Sequence, residues 1–118
     1  MVDDIDDGER AKKIRVLNDT LRTTWLPVTG KVVWTIGIRA LTQEVREEVI
    51  NLVREFKDFN ADNDPYGEHD LGTVRTKDGT EIMWKIDYFD HSLEWGSEAP
   101  EDPKVTRRVM TIMLSNER

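Results

Sequence analysis

The chain has 118 residues, 37% of them apolar and 35% charged, with no cysteine and a formal charge of -7. That length suits one domain and disfavours two independent cores. The lack of cysteine excludes a disulfide framework, a thiolate metal site and a cysteine nucleophile.

In chain order, Met1 to Asp7 is acidic where a secretory signal would be basic and then apolar, so a cytoplasmic location is expected, with 1–7 flexible at the edge of a single domain over 1–118. No apolar run approaches the roughly 20 residues that span a bilayer. Asp6 and Glu9 resemble a capping box. Ile14, Leu17, Leu21 and Trp25 recur at helical spacing and predict a helix from about Gly8 to Thr24, ended by Pro27 and Gly30. Lys31 to Ile38 reads as a strand, with Val32, Trp34, Ile36 and Ile38 on one face. Thr42 caps a second helix whose buried stripe is Val45, Val49, Leu52, Val53 and Phe56. Asn60 to Gly67 is loop. Leu71 to Thr76 and Glu81 to Asp90 read as strands joined at Asp78-Gly79, a hairpin signal. Glu94 to Pro103 is loop again. The last segment, Val105 to Leu114, could be helix or strand; its β-branched residues favour a strand beside Trp84–Phe89. The fold class is therefore α+β: two helices packed on an antiparallel sheet of three to four strands including a 71–76/81–90 hairpin. Trp34 and Trp84 are expected in its core.

The segment Asp62-Asn63-Asp64-Pro65-Tyr66-Gly67-Glu68-His69-Asp70 places four carboxylates and an imidazole within nine residues, and the next strand adds Lys85, Asp87 and Asp90. A two-residue turn would set Asp70 opposite Asp87. A glycine bulge at Gly79 pairs Thr76 with Thr80, Arg75 with Glu81 and Val74 with Ile82, and by extension His69 with Asp87. The bulged register is preferred, because it creates a cross-strand ion pair and gathers Val74, Ile82, Trp84 and Ile86 on one face.

Three chemistries follow from this motif. Glu68, His69, Asp70 and Asp87 are candidate ligands of a divalent metal, the one cofactor considered. Asp62-x-Asp64-x-x-Gly67 imitates the start of a calcium loop, but Tyr66 and Thr73 stand where oxygen ligands belong. His69 with Asp87 could be an acid/base pair, yet no nucleophile, activated water or oxyanion site accompanies it. An enzyme is therefore the less favoured class. Against all three stands a plain structural turn at Asp64-Pro65-Tyr66-Gly67.

Charge is unevenly placed. Residues 1–57 carry 10 acids and 10 bases, residues 58–102 carry 13 acids and 3 bases, and residues 103–118 carry 1 acid and 4 bases. An acidic middle repels a phosphate backbone, so direct nucleic-acid binding is disfavoured, while a basic protein surface or a cation would be attracted.

The nine-residue motif, then Trp84-Lys85-Ile86-Asp87-Tyr88-Phe89-Asp90, Gly96-Ser97, Asp102-Pro103 and Thr106 to Leu114, resembles the bacterial domain of unknown function 3768, from about Ile14 to Glu117. Leu71, Phe89 and Arg118 depart from its pattern. The resemblance implies a proteobacterial setting, often near mobile-element genes, and supplies no catalytic residues. The expected function is a non-enzymatic accessory protein binding a basic protein through its acidic surface, one version being an inhibitor of nucleic-acid-handling or defence machinery. The alternative is a metal-binding module or metal-dependent enzyme centred on Asp62–Asp70 and Asp87. No membrane partner is expected.

Overall fold

The computed structural model describes residues 6–27 and 30–118; most of the segment expected to be flexible, 1–5, lies outside them. Helix α1 spans Asp7–Thr24 and begins where Asp6 accepts the Glu9 backbone N–H at 2.7 Å. It ends at Trp25, whose left-handed backbone turns its N–H back onto the Leu21 carbonyl. Strand β1 follows at Gly30–Trp34, then the short helix α2 at Ile36–Arg39 and helix α3 at Gln43–Glu55, capped by Thr42. Strands β2 (Leu71–Arg75) and β3 (Glu81–Phe89) form the hairpin, and β4 (Arg107–Leu114) closes the chain before a single 3-10 turn at Ser115–Glu117. The fold is α+β, and no helix among the described residues is long and apolar enough to cross a membrane.

The sheet order is β1-β4-β3-β2. It differs from the expected antiparallel sheet in one place: β1 runs parallel to β4, with Gly30 beside Arg108 and Trp34 beside Ile112. A parallel partner needs a long crossover rather than a tight turn, and the helices and hairpin between β1 and β4 supply it. The ambiguous last segment is a strand. Pairing on both sides buries its inner face, and Met110 and Ile112 are fully enclosed.

The hairpin adopts the bulged register. Thr76 donates to the Thr80 carbonyl, Gly79 takes a φ of 88°, and Arg75 pairs with Glu81 at 2.9 Å. The positive φ is open to glycine without a Cβ penalty.

Strand β1 is shorter than its pattern suggests. It stops at Trp34, and Thr35 turns the chain into α2. Ile36 and Ile38 would share a face in a strand; in the helix they separate, Ile36 being 79% exposed and Ile38 fully buried. The turn is clamped from the far end of the chain. The Glu117 carboxylate accepts Thr35 Oγ1 at 2.5 Å, Gly37 N–H at 3.0 Å and Leu114 N–H at 2.8 Å.

Leu21, Ile38, Val49, Val53, Val74, Ile82, Trp84, Ile86, Met110 and Ile112 make the core between the helices and the inner sheet face. Trp84 lies at its centre as expected. Trp34 faces inward but is half-buried, because β1 is an edge strand; it packs edge-on against Trp25 at 6.1 Å.

Candidate functional site

The Asp62–Asp70 segment is folded by its own polar side chains. Asn60 Oδ1 accepts the backbone N–H groups of Asp62 and Asn63, and Asp64 Oδ1 accepts those of Glu68 and His69 at 3.1 and 3.2 Å. Such local acceptors replace the ladder that a loop backbone lacks. Asp64 is thereby almost fully buried, whereas Asp62 and Tyr66 are exposed.

The folded segment is then tied to α1. Arg15 Nη1 donates to the Gly67 carbonyl, and Asn18 Nδ2 donates to the Glu68 carbonyl, both at 3.0 Å. His69 takes a φ of 56°, which swings its ring away from the hairpin. The imidazole lies flat on Phe59 at 3.7 Å between centroids, with Nδ1 3.0 Å from Asp19 Oδ1 and Nε2 3.6 Å from Asp64 Oδ2. Asp19 also receives Arg22 Nη2 at 3.0 Å. Arg22, itself buried, donates to the carbonyls of Val53, Arg54 and Phe56 at the C-terminal end of α3, where helix carbonyls lack intrahelical donors. One line of contacts thus runs from α3 through Arg22, Asp19 and His69 to Asp64.

A second, deeper network meets the same loop. Arg108 Nε donates to Asn18 Oδ1 at 2.7 Å, and Asn18 Nδ2 donates to the Tyr88 hydroxyl at 2.8 Å. The Tyr88 hydroxyl donates to Glu68 Oε1 at 2.7 Å, and Arg108 Nη2 donates to the Pro100 carbonyl at 2.5 Å. Burial, reinforced by the Glu68 hydrogen bond, raises the Tyr88 phenol well above its ordinary value and keeps it a donor.

His69 therefore does not meet Asp87, as extension of the register had suggested. Strand pairing ends at Leu71–Lys85, and the Ile86 N–H bond to the Asp70 carbonyl is the next contact along. Asp87 lies on the opposite face of β3, paired with Lys85 at 3.2 Å, and Asp90 sits at the strand's end. The four metal candidates are thus engaged separately: Glu68 by Tyr88, His69 by Asp19, Asp87 by Lys85, with Asp70 held by its backbone. Among the described residues no three His, Asp or Glu side chains converge as ligands.

The sequence reading missed Arg15, Asn18, Asp19, Arg22 and Arg108. Two of these carried a signal. Asn18 occupies a helical step between Ile14 and Leu21 on the apolar stripe, and Arg108 shares the inward parity of Met110 and Ile112.

A family model described as "Protein of unknown function (DUF3768)" matches residues 34–117. The chain belongs to the DUF3768 family. The family match takes in the acidic motif, Tyr88 and Arg108, while α1, with Asn18, Asp19 and Arg22, precedes it. No curated protein and no solved structure matches the chain.

Two outcomes test the geometry of this DUF3768 motif. His69→Ala removes the stack on Phe59 and leaves Asp19 short of a partner, and is expected to destabilise the fold by about 1–3 kcal/mol, read by urea unfolding at neutral pH. The Asp70 carboxyl is raised by burial and then by Glu68, Asp64 and Asp87. The folded state thus holds that proton more tightly than the unfolded chain. Its favourable contribution is complete below about pH 4 and is lost as pH rises through the folded value. Asp70→Asn is accordingly expected to gain stability over the parent towards neutral pH and to match it in acid, a difference read from melting temperatures across pH.

Proposed function

We propose that this DUF3768 protein is a non-enzymatic accessory protein that binds another protein, one with a basic surface, through the acidic face built from residues 58–102. The observation that carries this reading is the state of the acids themselves. Asp58, Asp62, Glu94 and Glu98 are exposed and make no ion pair among the described residues, whereas Asp64 and Glu68 are spent inside the fold. The loops that carry them are pinned by hydrogen bonds, so their charges are presented at little further ordering cost. The His69 geometry favours this over the metal reading, since a ring stacked on Phe59 and bonded to Asp19 acts as a brace. In its finer form the proposal places the protein in a bacterial cytoplasm near mobile-element functions, with its carboxylates filling a basic groove meant for phosphates.

Affinity capture from a cell extract over a salt series tests it, using Asp58→Lys, Asp62→Lys and Glu94→Lys together, against a control reversing the exposed helix acids Glu44 and Glu47. The retained protein is expected to elute as salt rises, because exposed charges are screened over about 8–10 Å at physiological ionic strength. It is expected to be lost from the triple variant and kept by the control. Retention by both variants alike, indifferent to salt, overturns the proposal.

A further inference from the structure

Beyond β3 the chain forms a turn fixed by its own groups. Asp90 N–H donates to the Trp95 carbonyl at 2.8 Å, Leu93 N–H donates to the Asp90 carbonyl at 3.0 Å, and Ser97 N–H donates to the Tyr88 carbonyl at 3.0 Å. Asp90 Oδ1 accepts both the backbone N–H and the hydroxyl of Ser92. Leu93 holds a φ of 62°, and Gly96 bridges back to Phe89.

This ordered turn displays an indole. Trp95 is 70% exposed, whereas Trp84 is enclosed and Trp25 and Trp34 are half-buried. A lone exposed apolar side chain is unremarkable in itself. Trp95, however, borders a hollow of about 550 Å³ whose other walls include Asp90, Ser97, Glu98 and Val105. Asp90 Oδ2 and the Glu98 carboxylate have no hydrogen-bond partner among the described residues. The Ser92 hydrogen bonds hold Asp90 below the usual carboxylate range, so it is charged at neutral pH. An aromatic wall, two carboxylates and the apolar side chain of Val105, in one hollow, define the complement of a long cationic side chain.

We propose that this hollow receives an arginine side chain of a protein partner, its guanidinium against Trp95 and its N–H groups directed to Asp90 and Glu98. A planar cation gains from an indole face and pairs with carboxylates through a fixed fork of donors, which an ammonium cannot reproduce. The methylene stem packs on Val105. The inference rests on the acidic-surface reading and specifies where on that surface a basic partner is gripped.

The test titrates the protein with the blocked peptide acetyl-Gly-Arg-Gly-amide and with its citrulline counterpart, which keeps the shape and lacks the charge. The indole N–H signals are followed by NMR, with Trp95→Phe assigning the relevant one. A saturable shift of the Trp95 signal by the arginine peptide is expected, about tenfold weaker with citrulline and about tenfold weaker in Glu98→Gln, the scale of one charge-assisted hydrogen bond. No saturable shift, equal response to citrulline, or an undiminished response in Glu98→Gln overturns the proposal. Asp58, Asp62 and Glu94 do not line the hollow. An unresponsive Trp95 together with capture that those three residues govern therefore overturns the hollow and leaves the acidic-surface reading standing. A responsive Trp95 with capture indifferent to them supports the hollow and overturns the wider surface.

Discussion

Trp84→Ala is expected to cost about 3–5 kcal/mol, a large part of the roughly 5–15 kcal/mol that holds a small domain together. The indole is fully buried at the centre of the sheet's inner face. Phe56 and Phe59 meet it edge-on at 5.7 and 6.2 Å, and the Arg22 guanidinium lies 5.3 Å from its ring. Its neighbour across the hairpin is Gly72, where a Cβ would stand 2.5 Å from the indole nitrogen. Alanine at position 84 would leave a cavity walled by sheet and helix, neither of which can collapse without moving strands. Trp84→Phe is expected to cost less. It keeps an aromatic ring and removes an N–H that has no partner among the described residues. Denaturant unfolding of the two variants measures the difference, and an unchanged midpoint for Trp84→Ala would refute the packing.

Arg108→Ala is the second large effect, expected at about 3–5 kcal/mol from the cavity and the two acceptors it leaves without a donor. Arg108 is fully buried, 5.1 Å from the Tyr88 ring, and serves two acceptors, one on α1 and one on the loop before β4. Removing it strands the buried Asn18 Oδ1, leaves the part-buried Pro100 carbonyl without its donor and opens a void. Burial already draws the guanidinium below its ordinary value, so the charge is kept at a cost to the fold. An apolar replacement that fills the space should recover part of the loss. Arg108→Met combined with Asn18→Leu is expected to be less destabilising than the sum of the two single changes, because residues in one hydrogen-bond network do not act independently. A double-mutant cycle in urea reads that interaction directly; strict additivity would remove the network.

These two residues also show how far the sequence could be read. Trp84 was legible because its neighbours alternate: Ile82, Trp84 and Ile86 form a stripe that only a one-sided strand explains. The hairpin was legible for the same reason, with Asp78-Gly79 setting the turn and Arg75 and Glu81 setting the register. Arg108 was legible only in hindsight, since an arginine at an inward position reads as an interruption until Asn18 is known to face it. His69 was misplaced because ladder logic was carried past Leu71, where a left-handed backbone ends it. The extension of β1 through Ile38 failed similarly. Alternating β-branched residues favour a strand, but Glu117 closes the turn at Thr35 and Gly37 from the other end of the sequence. The direction of β1 has no local signature at all, because whether a strand runs parallel or antiparallel to its neighbour is decided by the path of the intervening chain.

That path bears on how the molecule assembles. The hairpin of β2 and β3 closes over a short loop and can form early, as can the helices. Among the described residues strand β1 pairs with β4 alone, and the two are separated by both later helices, the hairpin and every loop between. Its backbone groups therefore stay unpaired until the last strand slots between β1 and β3. Loop-closure entropy is spent before that contact repays it, which places the step among the slow, non-local ones. Until it happens, β3 and β1 both present open edges, the form in which a chain of this kind is most exposed to pairing with another copy. The buried Arg108 arrives on that same strand, so the polar network and the final edge are completed in one event.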